Sequence, residues 1–503
     1  IGLMPCNPSI GGPAKGQIVG EIDALGGEMG RAADATFLQL KVLNRSRGPA
    51  VQCLRAQSDK VAYAAHMRHV INTNTRIEVM SEEVDNLLIE DNRIRGIRSK
   101  LGHTYYASAV VITAGTFLKA IMHTGLTQSV GGRVDEKSCE SLSESLGSHL
   151  KLGRLKTGTP PRLHKDSIDY SKMVIQPGDP EFLRFSFRSA PNDAYLNQLP
   201  CYRTYTHEDT HAIILNNLDR SPLYTDVIKG KGPRYCPSIE DKIVRFKEKP
   251  RHYIFIEPES KSLDSMYPQG LNTSLPHDVQ EAMLRSMPGL EDVEILKWGY
   301  AVEYDFVLPH QLKATLETRA ISGLFFAGQL NGTSGYEEAA GQGLVAGINA
   351  ALLVQNRPSF ILTREDSYIG TLIDDLIHKD ICEPYRMMTS RSEYRLLLRQ
   401  DNACERLSER AYDIGALSRE DIDIVRSQQS LKTEFLSQWK KGRTSTAQVD
   451  KFSLPNKIPI IDFAKRSDVT LTEITPSELT YDETQAAFQA LIEVKYAGYI
   501  VKQ

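Results

Sequence analysis

Residues 328–347 read GQLNGTSGYEEAAGQGLVAG, directly after the apolar run Leu324-Phe325-Phe326-Ala327. A strand that runs into a loop of small residues and then into a helix is the sequence form of a nucleotide-binding turn. The helix N-terminus offers unpaired N–H groups to an anion or to an electron-rich ring edge. Gly341, Gly343 and Gly347 let backbone approach backbone or a ligand closely. Such a run by itself also describes plain packing glycines. Its weight comes from a second run, VVITAGTFL at 110–118, another buried strand that ends in Ala-Gly. Two strands of this kind, the later one followed by a helix, are how flavoproteins with two dinucleotide folds enclose FAD. The expected fold class is therefore α/β. It comprises an FAD-binding, Rossmann-like domain of the two-dinucleotide-fold type, an inserted α/β domain and a C-terminal helical domain.

Working outward, residues 1–16 (IGLMPCNPSIGGPAKG) read as a Gly- and Pro-rich loop, followed by a helix through Ile18, Ile22 and Leu25 that stops at Gly26-Gly27. Residues 54–70 read as helical. Residues 77–89 and 92–98 read as two strands turned at Asp91-Asn92. From about 151 turns multiply and short β-prone runs such as YRTYT and HYIFIEP appear. The expected division is 1–150, first part of the FAD domain; 151–270, an inserted α/β domain; 271–358, second part of the FAD domain; and 359–503, a helical domain. Residues 441–457 read as a linker. A GxGxxG unit of ~30 residues, with an acidic residue ~20 further on, is expected of such a fold. None precedes Ile1. The chain starts inside what reads as a motif, and the expectation is of a piece that continues at both ends.

Length and composition agree. At ~150 residues per domain, 503 residues suggest about three domains. Hydrophobic residues at 41% and charged residues at 24% exclude wholesale disorder. A net charge of -3 excludes a generic basic nucleic-acid binder but leaves room for a local basic patch. No apolar run approaches the ~18 residues of a membrane span. The 7 cysteines include no CxxC pair, so metal-finger spacing is absent and free thiols in a reducing compartment are expected.

Three segments carry chemistry. In GPRYCPSIEDKIVRF, 232–246, Ser238 and Asp241 fit a capping box, so a helix starts there with Cys236 at its mouth beside Arg234. A helix N-terminus and a cation both raise thiolate content. Burial is the plain alternative for a cysteine. Cys6 lies in PCNPSIGGPAKG, where glycines and Lys15 precede a helix. Such a loop suits a phosphate or presents the thiol beside a cofactor; an incidental thiol is the alternative. In EPYRMMTSRSEYRLLLRQDNA, 383–403, Arg391, Arg395 and Arg399 recur every fourth residue with Tyr394 close by. On a helix that is one basic face, suited to a phosphate backbone and an unstacked base, or simply a solvated surface. Arg386 joins them as an RNA-binding candidate.

Together CNPSIGG-x-x-KG, GPRYCPSIEDK and GTSGYEEAAGQG resemble the MnmG/GidA family of FAD-dependent tRNA-modifying proteins. The similarity continues in order through EIDALGGEMG, RLKTGTPPR, LDRSPLY, GYAVEYDF, EPYRMMTSR-x-EYRL and KYAGYI. It implies an enzyme that, with an MnmE-type GTPase, adds a (carboxymethyl)aminomethyl group to C5 of the wobble uridine of tRNA. The methylene carbon comes from methylenetetrahydrofolate and the electrons from FAD and NADH. Uridine C5 is a poor nucleophile until a group adds to C6, and a thiolate is the usual adding group. The resemblance makes Cys236 and Cys6 the two functional cysteines. Cys236 is expected to be the C6 nucleophile, and Cys6 to assist near the flavin, in proton removal from C5 or in handling the methylene carbon; the roles are open to reversal.

By the same carry-over Val84 and Gln329 fall at FAD contacts, with Gly328, Asn331, Gly332, Gly335, Gly341 and Gly343 of the glycine loop. Gly232, Pro233, Arg234, Tyr235 and Ser238 fall in the NADH region. After Gly131-Gly132-Arg133 the chain departs from the family with VDEKSCES, so no FAD contact is carried to 134–141. A homodimer, a heterotetramer with the GTPase and a bacterial cytoplasmic location are family expectations, with the mitochondrion left open. The competing readings are a folate- and FAD-dependent tRNA uridine-5-methyltransferase (TrmFO-like), a non-catalytic flavin-containing RNA-binding scaffold, and a plain NADH:flavin oxidoreductase. Residues 359–503 favour the first reading over the methyltransferase.

Overall fold

The computed structural model describes residues 1–190, 193–232, 237–476 and 478–500. The chain begins β1 (Ser9–Gly11), α1 (Lys15–Ala24), α2 (Met29–Thr36), β2 (Phe37–Leu43), β3 (Cys53–Ser58) and α3 (Lys60–Thr73). Next come β4 (Val84–Glu90), β5 (Arg93–Ser99), β6 (Thr104–Tyr106), β7 (Val110–Ile112), β8 (Ile121–Thr124), β9 (Thr127–Val130) and α4 (Ser141–Gly147). The middle holds β10 (Leu152–Thr159), β11 (Arg162–His164), β12 (Val174–Gln176), β13 (Cys201–Tyr205), α5 (Glu208–Leu215), α6 (Ile239–Arg245), β14 (Tyr253–Pro258), β15 (Ser265–Gln269), α7 (His277–Arg285) and β16 (Ile295–Lys297). β17 (Tyr300–Val307), β18 (Leu324–Phe326) and α8 (Tyr336–Val354) follow. The rest is helical: α9 (Tyr368–His378), α10 (Ala403–Ile414), α11 (Arg419–Lys441), α12 (Thr446–Lys451), α13 (Ile460–Ala464) and α14 (Tyr481–Ile500).

The fold is thus α/β with a helical C-terminal part. The pair that decides it is β7 beside β18, parallel, with Val110 opposite Leu324 and Ile112 opposite Phe326. Parallel neighbours need a long crossover, and here the crossover contains two further sheets, of four and six strands. β10, β17, β8 and β9 form an antiparallel sheet in that order. β17 is its central strand, which is why it is buried from Ala301 to Val307. A six-stranded sheet, ordered β12-β13-β14-β15-β11-β16, takes strands from Arg162 to Lys297, so the boundary expected at 270 falls within its span. It carries its own apolar core, built around Ile254, Ile256, Met283 and Leu284. The core of the first part continues through α9 and α10 as far as Val425. A further core begins around Phe435 and Trp439 and closes on α14.

Local rules explain several ends. Gly26 takes a φ of 86° after α1, and the N–H groups of Gly26 and Gly27 return to Asp23 and Ile22. Asp91 and Asn92 have φ of 50° and 58°, the left-handed pair that a two-residue hairpin turn needs between β4 and β5.

Four expectations are corrected. Residues 54–70 are not one helix: β3 runs to Ser58 because it pairs with both β1 and β2, and α3 starts at Lys60 behind Asp59, whose carboxylate caps Val61 and Ala62. The first hairpin strand begins at Val84 rather than 77, where pairing with Ser99 starts. The 441–457 stretch contains α12, started by a capping box between Ser445 and Gln448. Between 385 and 399 there is one 3-10 turn, at Thr389–Arg391, and no α-helix. Arg391, Arg395 and Arg399 therefore do not share a helix face; the backbone is not helical along the fourfold spacing.

Candidate active site

The carboxyl ends of β7 and β18 open into a cavity of about 310 Å³. The crevice beyond the carboxyl ends of parallel strands is where α/β folds bind ligands. Thr113 and Gly115 extend β7 into its wall, and Ala327, Gly328 and Gln329 extend β18. Opposite stand the loop Pro5–Asn7 and the N-terminal ends of α1 and α8, so two helix termini face one space. Gly115 has a φ of 59°, strained for any side chain, and a Cβ there would touch Gln329 at 3.7 Å and Phe117 at 3.9 Å. Gly335 has a φ of 147° and sits where a Cβ would lie 2.1 Å from Glu338 and 2.5 Å from Lys15.

Charge is concentrated at the two helix ends. Lys15 Nζ lies 2.8 Å from Glu337 Oε2 and 2.7 Å from Glu338 Oε2. Gly11 N–H donates to Glu337 at 2.8 Å and Met387 N–H donates to Glu338 at 3.0 Å. Burial works against the ammonium, but the two carboxylates outweigh it and hold Lys15 above its ordinary value. The pair of glutamates in the first turn of α8 suits the positive end of that helix.

Cys6 lies on the cavity wall. Its backbone N–H donates to Tyr336 Oη at 2.9 Å, and its Sγ lies 3.1 Å from Tyr267 Oη. Asn7 donates to Glu257 Oε2 at 2.6 Å and to Gln269 Oε1 at 3.1 Å. Arg162 stacks 4.5 Å above the Tyr267 ring, donates to Pro5 O at 2.8 Å and pairs with Glu259 at 2.9 Å. Tyr336 is buried, which with the neighbouring Cys6 charge pushes its phenol well above the usual range.

Of the residues singled out in the sequence, Gly328, Gln329, Gly335, Cys6 and Arg386 line this cavity. Asn331 lies behind it, buried, donating to Phe326 O and to Gln342 Oε1, both at 2.9 Å. Gly332 turns the chain there with a φ of 79°. Gly341 faces Ile369 of α9 instead, and a side chain at Gly343 would meet nothing within 4 Å. Val84 is at the start of β4, its carbonyl accepting from Cys139 Sγ, and is not a cavity residue. Gly232 packs against Lys156. Ser238 caps α6 as expected, accepting from Asp241 N–H at 3.2 Å. Pro233, Arg234, Tyr235 and Cys236 lie outside the described residues.

Of the arginines, Arg391 stacks 4.2 Å over Tyr385 and donates to Arg386 O at 2.9 Å. Arg395 is exposed. Arg399 is 4% exposed and is spent internally, on Asp401 at 3.0 Å and on Leu396 O at 2.9 Å. Arg162 and Tyr267 were not foreseen as site residues. Arg162 ends the quoted run RLKTGTPPR, a signal without a stated role; Tyr267 had none. Among the described residues no helix is long and apolar enough to cross a membrane.

Residues 1–358 match the family described as glucose inhibited division protein A. Residues 414–503 match the tRNA modifying enzyme MnmG/GidA C-terminal helical domain. The tRNA uridine 5-carboxymethylaminomethyl modification enzyme MnmG of Listeria welshimeri is 50% identical, with 100% of this chain and 81% of that protein aligned. Its counterpart in Exiguobacterium sibiricum is 49% identical, over 100% of this chain and 82% of that one. The structure of Aquifex aeolicus GidA in its form I crystal superposes with a TM-score of 0.92 at 44% identity, covering 100% of this chain and 83% of that one.

Proposed function

On the premise that the chain belongs to the MnmG/GidA family, we propose that it is the flavin-dependent enzyme that builds the 5-carboxymethylaminomethyl-type group on tRNA uridine. The observation that carries the reading is the cavity at the ends of β7 and β18, walled by Cys6 and entered by two helix N-termini. Its lining would suit an isoalloxazine ring: Gly115 keeps a Cβ out of the space beside Gln329, and Ala327 and Gly328 border it. Thr113, Gly115, Gly328, Gln329 and Gly335 would hold the flavin of FAD, which supplies two-electron exchange with NADH. Gly232, Pro233, Arg234, Tyr235 and Ser238 are assigned to NADH; Asn331, Gly332, Gly341 and Val84 stay as more distant FAD candidates, and Gly343, outside the cavity lining, does not.

In the chemistry proposed, a thiolate, assigned to Cys236, bonds to C6 of uridine and leaves an enolate at C5. C5 then bonds to the methylene carbon of methylenetetrahydrofolate as one of that carbon's two C–N bonds breaks, and the amine, glycine or ammonia, later displaces the remaining folate nitrogen to leave tetrahydrofolate. Loss of the C5 proton expels the thiolate and restores the 5,6 double bond. Cys6 acts on the cavity side, removing that proton or handling the carbon. Exposed Arg395, with Arg386 and Arg391, is assigned to tRNA phosphate. A homodimer joined by an MnmE-type GTPase in a heterotetramer, in the bacterial cytoplasm, completes the proposal.

The test is mass spectrometry of tRNA nucleosides from cells lacking the gene, complemented by wild type, Cys6→Ser or Cys236→Ser. Loss of the 5-carboxymethylaminomethyl-type nucleoside without the gene, restored by wild type but by neither variant, is expected. Lost ribothymidine with an intact wobble uridine would mean the methyltransferase instead. Restoration by both variants would mean a scaffold.

A further inference from the structure

Cys6 meets a side-chain group as well as open space. Its sulfur and Tyr267 Oη are 3.1 Å apart, and Tyr267 is fully buried on β15. Neither partner is free to drift. The Cys6 backbone is tied to Tyr336, and the residue before it accepts from Arg162. Arg162 is itself held on every side: Nε on Glu259, Nη1 on Thr159 Oγ1 at 2.9 Å and Pro160 O at 2.6 Å, Nη2 on Pro5 O. Glu259 in turn binds Lys60 at 2.8 Å and the Ser265 hydroxyl. A guanidinium so fully committed acts by position, and its position is over the Tyr267 ring.

We propose that Tyr267 is the positioning residue of the Cys6 thiolate, its hydroxyl donating to the sulfur, with Arg162 fixing that hydroxyl and the loop that carries the thiol. The proposal rests on the reading that Cys6 takes part in the reaction. The direction of the hydrogen bond follows from ordinary acidities. A thiol (~8.5) ionises before a phenol (~10), so in the reactive form the phenol keeps the proton and the sulfur accepts. The sulfur is thereby held on the cavity wall with one lone pair occupied.

The other charged or titratable groups lining the cavity are Tyr300, Tyr336, Arg133, Arg386 and the Lys15–Glu337 pair. Burial raises both tyrosines and the carboxylates raise Lys15.

The experiment is iodoacetamide alkylation of the purified full chain across pH, with the Cys6 peptide followed by mass spectrometry. Cys53, Cys201 and Cys404, each pushed up to about 12 by burial, are slow internal references. For Tyr267→Phe, which keeps the ring under Arg162, the midpoint of the Cys6 profile should rise by about one pH unit, so that alkylation at pH 7 slows about tenfold. A purely structural role would change the rate by one factor at every pH and leave the midpoint in place. An unmoved or lowered midpoint overturns the proposal. If Tyr267→Phe does not fold, 3-fluorotyrosine in place of Tyr267 supplies a stronger donor and should lower the midpoint; no change overturns the proposal equally. Failure of the underlying reading looks different: Cys6→Ser would then support full tRNA modification whatever the alkylation profile of Tyr267→Phe.

Discussion

The carboxylate of Glu21, inside α1, caps α9 from below: it accepts from the N–H groups of Tyr368 at 2.9 Å and Ile369 at 3.0 Å. Arg406 of α10 completes the arrangement at 3.1 Å. One buried acid thus ties the helix that opens on the cavity to two helices that follow the glycine loop. Burial pushes its pKa up, against the guanidinium and the two N–H groups that favour the charge. Replacing it leaves a buried cation and two bare helix donors. Glu21→Ala should cost about 3–5 kcal/mol in urea unfolding, and Glu21→Gln distinctly less. Equal stability of Glu21→Ala and wild type would refute the tie.

Asp34 gives a pH signature. It accepts from Phe185 and Ser186 N–H and from the Ser189 hydroxyl, yet burial pushes its pKa up to about 7. An unfolded aspartate titrates near 3.9. The folded state therefore holds the proton more tightly. Its stabilisation is complete below about pH 4 and is lost as pH rises to about 7, by roughly 4 kcal/mol. Asp34→Asn carries a constant cost from the lost acceptor but no slope. The melting temperature of Asp34→Asn minus that of wild type should climb between pH 4 and 7 and then level; a flat difference would rule this out.

Gly335 and Gly343 separate a site glycine from a packing position. At Gly335 a side chain meets the Lys15–Glu338 pair and an unfavourable φ, so Gly335→Ala should lose about 1–3 kcal/mol. It should also retain less flavin, read as visible absorbance per mole of protein. Gly343 is inside α8 with open space around it, and Gly343→Ala should gain roughly 0.5–1 kcal/mol with flavin content unchanged. The reverse ordering of the two variants would contradict the cavity described here.

The arginines divide in the same way. Arg395→Ala should leave the melting temperature alone, weaken tRNA binding and reduce the salt slope of that binding by about 1. Arg399→Ala should instead destabilise the chain by about 3–5 kcal/mol, because Asp401 and the Leu396 carbonyl lose a buried partner. If Arg399→Ala folds normally and only tRNA binding suffers, the buried role assigned to it is wrong.

What was legible in the sequence was whatever local chemistry decides. Strands ending in Ala-Gly, the Asp91-Asn92 turn and the Ser238 cap need only neighbours in sequence, and they stand where those residues put them. The Arg391–Arg399 spacing failed because the stretch holds a 3-10 turn and no α-helix, with Arg391 over Tyr385, Arg399 buried on Asp401 and Arg395 exposed, which periodicity does not register. β3 was hidden for a related reason: CLRAQS is a strand by virtue of having β1 and β2 on either side. The Cys6–Tyr267 contact joins residues far apart in the chain through a sheet whose register no local pattern announces.

The pairing of Val110 with Leu324 sets an order of events during synthesis. β7 leaves the ribosome long before its parallel neighbour β18 exists; at ~5–20 residues per second the wait is roughly 10–40 s. In that interval the six strands between Arg162 and Lys297 can find one another, because each has its partners within that span. The nascent N-terminal segment, with its thiols and an unpaired strand edge, stays unfinished until β18 arrives. Translation pauses or chaperone contact between these two points would therefore act on the first half of the cavity more than on the second.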